Sequence, residues 1–242
     1  EDEIIFTRNA TESINLIAQS WGRSNLGPGD EIIITELEHH ANIVPWQIVC
    51  DQTGANLVVI PIQDDGSVDL DAYHNRLNNN TKLVSILAMS NALGTILPVK
   101  TMIDAAKSVG AKTLIDGCQS VVHGTTDVKS LDCDFFVFSG HKLYGPDGIG
   151  MCYGKYEILE SMPPYQSGGD MIDRVSFENT SFADPPSRFE AGTPAISQAI
   201  GLGAAIDYLN EIDLDAAAAH ELNLRQYAEN QMNEIDGLKI IG

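Results

Sequence analysis

Short apolar segments recur through residues 4–153 of this chain, and helical patterns fall between several of them. Strands are expected near 4–6, 31–35, 57–60, 83–88, 113–115, 135–138 and 150–153. Helices with apolar residues at helical spacing are expected at 43–52, 70–77 and 102–109, after a first helix that begins near Thr11. Alternation of this kind implies an α/β fold, a mostly parallel sheet with helices on both faces. Beyond Tyr153, Pro163-Pro164, Ser167-Gly168-Gly169 and Pro185-Pro186 bracket a stretch too polar and proline-rich to be regular sheet. Two helices at 196–209 and 214–232 then lead to Leu238-Lys239-Ile240-Ile241, which reads as the start of another strand.

The most specific local signal is the passage from Phe135-Phe136-Val137-Phe138 into Ser139-Gly140-His141-Lys142-Leu143-Tyr144-Gly145-Pro146. Consecutive large apolar residues suit a strand covered on both faces, and Gly140, Gly145-Pro146 and Gly148 impose an irregular turn after it. Lysine is rarely buried without a partner or a purpose. An amine in an apolar pocket loses its proton readily and becomes a nucleophile toward aldehydes, the requirement for a Schiff base. The spacing equally allows Lys142 to snorkel out of a strand end. Upstream, the strand at 113–115 ends at Asp116-Gly117-Cys118-Gln119, and ligands of open parallel sheets bind outside the carboxyl ends of strands. An aspartate there either keeps a pyridinium nitrogen protonated, making a pyridoxal ring an electron sink, or caps a following helix. Asp116 and Lys142 together are more telling than either alone.

A chain of 242 residues with 43% hydrophobic content can bury one substantial core. Its net charge of -20, from 14 basic and 34 acidic residues, argues against nucleic-acid binding, which needs basic patches, and against anionic membrane surfaces. Such acidity fits either a salt-rich habitat or a need for solubility. Cys50, Cys118, Cys133 and Cys152 form no C-x-x-C pair and read as reduced core thiols of a cytoplasmic protein. No ligand set has the spacing of a metal site, and no run of about 18 apolar residues spans a bilayer.

Further motifs extend the pattern: Glu38-His39-His40-Ala41-Asn42, Ser90-Asn91-x-x-Gly94-Thr95 and Phe189-Glu190-Ala191-Gly192-Thr193-Pro194. With Asp116-Gly117-x-Gln119 and Ser139-Gly140-His141-Lys142, they resemble the pyridoxal-phosphate-dependent cysteine desulfurases, in particular the SufS-like and CsdA-like group of the class V aminotransferase family. The resemblance runs over essentially the whole chain. It implies the large domain of the fold type I transferases at 1–210 and the beginning of a small C-terminal α+β domain at 211–242, in a fragment lacking both ends. It also implies a cytoplasmic homodimer that takes sulfur from L-cysteine, leaving L-alanine and an enzyme persulfide for iron–sulfur cluster assembly through a SufE-like acceptor. A selenocysteine lyase acting on L-selenocysteine is the alternative enzyme, and a domain that binds the cofactor or dimerises without turnover is the non-enzymatic one.

The resemblance assigns roles residue by residue. Lys142 carries the cofactor and takes the substrate's α-proton, Asp116 keeps the pyridinium protonated, and His39 stacks on the ring, leaving His40 structural. Asn91 reaches the phenolate or the substrate carboxylate, and Gln119 the phenolate. Ser139 and His141 hold the phosphate together with Thr11, which begins a helix whose free N–H groups and dipole favour an anion. Thr193 reaches the phosphate held by the other subunit. Many relatives have two threonines where this chain has Ala10-Thr11, which leaves one side-chain contact fewer at Ala10. The family's nucleophilic cysteine follows an Arg-x-Gly-x-x-Cys-type motif that none of the four cysteines has. That cysteine and the carboxylate-binding arginine are therefore expected outside this chain, and the isolated chain is expected to lack turnover.

Overall fold

The computed structural model describes residues 2–242. Its main sheet has the order β1-β7-β6-β5-β4-β2-β3, with β1 (Ile4–Thr7), β2 (Glu31–Thr35), β3 (Asn56–Ile60), β4 (Thr81–Leu87), β5 (Lys112–Asp116), β6 (Phe135–Ser139) and β7 (Gly150–Gly154). The ladders from β3 to β6 are parallel, and β7 runs antiparallel to both β6 and β1. The connecting helices are α1 (Ala10–Ile17), α2 (Arg23–Asn25), α3 (Val44–Thr53), α4 (Leu70–Arg76), α5 (Val99–Ser108), α6 (Val128–Leu131) and α7 (Tyr156–Ser161). Two longer ones, α8 (Ile196–Asn210) and α9 (Leu214–Met232), follow. Each strand expected in 4–153 is present within two residues of its expected bounds.

The two-residue strand period explains why both faces are apolar. Ile32, Ile34, Leu114, Phe135 and Val137 pack into one core with Ile14, Ile17, Trp21 and Trp46 from the α1 and α3 side. Ile33, Ile115 and Phe136 point to the opposite core, with Tyr73, Met102, Ile103 and Ala106 of α4 and α5. A strand buried on both faces reads as a continuous apolar run, which is how these segments announce themselves. Chain order reverses between β2 and β4, so the carboxyl ends of the parallel strands part there and leave a crevice.

Two expectations fail. The polar stretch beyond Pro164 contains an antiparallel pair, β8 (Ile172–Val175) with β9 (Thr180–Phe182). Its turn is closed by Ser176, whose N–H donates to Asn179 O at 2.8 Å and whose Oγ accepts from Asn179 N–H at 3.0 Å. Both strands are largely exposed, so no buried face wrote an apolar pattern into the sequence. Residues 238–241 form no strand. Their polar contacts go to a turn and not to a strand: Lys239 Nζ donates to Asp64 O and Gly242 N–H to Asp65 O, both at 3.1 Å.

Candidate active site

The crevice holds a cavity of about 230 Å³ walled by the turns that leave β2, β4, β5 and β6 and by the start of α1. Lys142 enters it from the 3₁₀ turn Gly140–Leu143 directly after β6, half-buried. Ser139 ends β6 and His141 lies in the same turn, exposed; both line the cavity. Ser139 Oγ accepts the Ala10 N–H at 2.9 Å and so ties the end of β6 to the first residue of α1. Asn9 caps that helix, its Oδ1 accepting from Glu12 N–H at 2.9 Å. Thr11 is exposed on the first turn and lines the cavity with Ala10.

Glycine makes two close approaches possible. A Cβ on Gly150 of β7 would lie 2.5 Å from Asn9 Cα and 2.7 Å from Asn9 C, so α1 can start against the sheet only because position 150 has no side chain. A Cβ on Gly117 would lie 2.0 Å from Phe136 Cζ, so the chain can turn sharply after Asp116 over that ring.

Asp116, the last residue of β5, is buried, and its Oδ1 accepts from Cys118 N–H at 2.9 Å. Gln119 follows, half-buried, and Asn91 projects from the turn after β4, exposed; both line the cavity. His39 lines it from the turn after β2, with Nδ1 accepting from Ala41 N–H at 3.1 Å. That bond places the proton of the neutral ring on Nε2. His40 is exposed, its ring centroid 5.9 Å from that of His39, and it does not line the cavity.

Of the expected site residues, Ala10, Thr11, His39, Asn91, Asp116, Gln119, Ser139, His141 and Lys142 converge on this cavity. Thr193 does not; it is exposed in a neighbouring depression with Phe6, Glu190 and Gln198. Sequence reasoning passed over Asn9, Ala41, Leu87, Met89 and Cys118, which complete the wall. Their one common signal is adjacency to a strand end or to a motif.

It also gave no role to Glu38, which is buried beside the cavity. Glu38 Oε1 lies 2.7 Å from Thr35 Oγ1 and accepts from Leu87 N–H at 3.1 Å, while Oε2 accepts from Asn42 Nδ2 at 2.8 Å. Burial pushes this carboxyl up to about 8, its hydrogen bonds oppose the rise, and the charge of Asp116 adds to it. The four cysteines are free and buried. Burial pushes Cys118, Cys133 and Cys152 up to about 12 and Cys50 to about 11. No group of three or more His, Cys, Asp or Glu able to hold a metal ion occurs among the described residues. No helix among them is long and apolar enough to cross a membrane.

The chain matches the family described as "Aminotransferase class-V" over residues 1–242. It belongs to the class-V aminotransferase family. Among curated relatives of this family, a cysteine desulfurase of Synechococcus elongatus is 54% identical over 241 residues, 100% of this chain and 38% of the relative. A cysteine desulfurase of Serratia proteamaculans is 51% identical over 242 residues, 100% of this chain and 60% of the relative. The solved cysteine desulfurase CsdA of Escherichia coli superposes with a TM-score of 0.94 at 42% identity, covering 98% of this chain and 59% of that one. This class-V chain thus spans well under two thirds of the length of these relatives, and its seven-stranded sheet with flanking helices is the fold type I of pyridoxal-phosphate enzymes.

Proposed function

We propose that this chain is the cofactor-binding portion of a pyridoxal-phosphate-dependent cysteine desulfurase. The observation that carries the reading is the convergence of one amine, Lys142, and one buried carboxylate, Asp116, on a single cavity. The similarity to relatives named cysteine desulfurase supports it. The donor set fits the cofactor: an amine for its aldehyde, a buried carboxylate at the cavity for its pyridinium N–H, and hydroxyls and a helix start for its phosphate. Pyridoxal phosphate supplies an electrophilic carbon and an electron sink for a carbanion next to the substrate amine.

The chain's own residues do the rest. Lys142 Nζ would hold the cofactor, and as a free amine it would be the base for the substrate's α-proton. Asp116 would hold a proton on the ring nitrogen. His39, oriented by the Ala41 N–H, would stack on the ring and offer its Nε2 proton to the site. Thr11, Ser139, His141 and the start of α1 would bind the phosphate, Ala10 adding a wall but no hydroxyl. Gln119 would serve the phenolate oxygen, and Asn91 either that oxygen or the substrate carboxylate. Thr193, exposed and outside this cavity, serves the site of a partner subunit in a homodimer.

None of the four thiols receives the sulfur, since each is buried and held protonated. A SufE-like acceptor serves the whole enzyme. Residues 1–210 form the cofactor domain and 211–242 begin a second. The free thiols fit a reducing cytoplasm.

Borohydride reduction after addition of pyridoxal phosphate tests the reading. Covalent fixation to the wild-type chain and none to Lys142→Ala is expected; equal fixation in both would refute the assignment of Lys142. L-Alanine release from L-cysteine by the isolated chain would refute the statement about the thiols.

A further inference from the structure

The ends of β2 and β4 part where the cavity opens. Their recorded pairing joins Glu31, Ile32 and Ile33 to Thr81, Leu83 and Val84. Beyond it, the Leu87 N–H goes to a side chain, Glu38 Oε1, at 3.1 Å. Glu38 Oε2 accepts from Asn42 Nδ2, and Asn42 is itself locked. Its Oδ1 accepts from Trp46 Nε1 at 2.9 Å and from Ser85 Oγ at 2.5 Å. An indole N–H only donates, so the amide cannot turn over and its NH₂ must face Glu38. Thr35, Glu38, Asn42, Trp46 and Ser85 are all buried.

The Glu38 carboxyl therefore stands in for main chain across the gap. On one side the link reaches the turn that carries His39 and Ala41, and on the other Leu87 and Met89, all of which line the cavity. The Ala88 N–H donates to Asp116 O at 2.9 Å and carries the link on to the end of β5. We propose that Glu38 is a positioning residue of this cavity, its side chain holding the turn that bears His39 in register with the strand ends that carry Asn91 and Asp116. The geometry stands apart from the cofactor reading, whereas the predicted effect on cofactor binding rests on it.

Both Glu38 oxygens must accept. In Glu38→Gln the new NH₂ faces either the Leu87 N–H or Asn42 Nδ2, so the link breaks at nearly constant volume. Nuclear magnetic resonance without cofactor should then show faster exchange of the Leu87 amide and displaced His39 ring resonances, with the distant Ile5 and Cys152 amides unchanged. Added pyridoxal phosphate should still be fixed at Lys142 but bind about tenfold more weakly, the equivalent of one lost buried hydrogen bond, with an altered visible spectrum. Thr35→Val removes one bond to Oε1 and should shift the same readings less; it decides the matter where Glu38→Gln does not fold.

Wild-type Leu87 exchange and His39 resonances in both variants would overturn the proposal. Loss of Ile5 and Cys152 protection along with that of Leu87 would also overturn it, in favour of general destabilisation. Wild type that binds no cofactor while the variants show the expected resonance changes would refute the cofactor reading and leave the positioning role standing.

Discussion

Glu38 carries a consequence for stability as well as for geometry. Its carboxyl ionises near 8 when folded, against 4.5 for an ordinary glutamate, so the folded state binds that proton more tightly than the unfolded one. Stability from this group is complete at the acid end of that window and is lost as pH rises through it, levelling off above about 8. Urea unfolding across pH should show this decline in wild type and a shallower one in Glu38→Gln. The comparison must be against the variant because burial also raises the Glu190 carboxyl. The cysteines give a second expectation at this scale. All four thiols are buried and held well above their ordinary range, so iodoacetamide at pH about 8 should label none in the native chain and all after denaturation, as read by mass spectrometry. Native labelling of Cys118 would reopen it as a sulfur acceptor.

At the scale of elements, the site depends on how α1 is seated. Its first residue bonds to Ser139 across the sheet, and Gly150 lets Asn9 approach β7. In Gly150→Ala the added carbon meets backbone atoms of Asn9, which cannot rotate aside, so the start of α1 must move outward. A loss of about 1–3 kcal/mol is expected from such overpacking, together with weaker cofactor binding. Asn9→Ala removes the helix cap and should cost about 1 kcal/mol. Denaturant titration of both variants measures these losses; an unchanged midpoint for Gly150→Ala would mean that α1 does not bear on β7 as described.

At the scale of the whole molecule, α8 is apolar on more than its inner face. Leu202, Ala205 and Leu209 are buried, but Ile196, Ile200, Ile206 and Tyr208 remain exposed, Ile200 at 70%. A net charge of -20 opposes indiscriminate aggregation, so association should occur at such apolar faces. Sedimentation velocity should report a mass above that of one chain, and Ile200→Asp should lower it without lowering the melting temperature. A monomeric wild type would contradict the homodimer and the role proposed for Thr193.

The main sheet was legible in the residues because its strands are covered on both faces, and double burial writes an unbroken apolar run that ends where polarity returns. Asp116 and Lys142 stand out in the sequence for the same reason, one at the end of such a run and the other in the turn that follows one. The hairpin β8–β9 was not, since exposed strands need no apolar face, and residues 238–241 misled because an apolar tetrapeptide becomes a strand only beside a partner. Nor could sequence tell which of Glu36 and Glu38, two positions apart after the same strand, would be buried. Only the splay of β2 from β4 left Glu36 exposed and accepting from the Ile62 N–H, while sending Glu38 inward to the Leu87 N–H. Local pattern thus determined which segments form strands and which residues stand at their ends. Tertiary packing decided which buried polar groups must find partners across the sheet, because those hydrogen bonds join residues far apart in the chain.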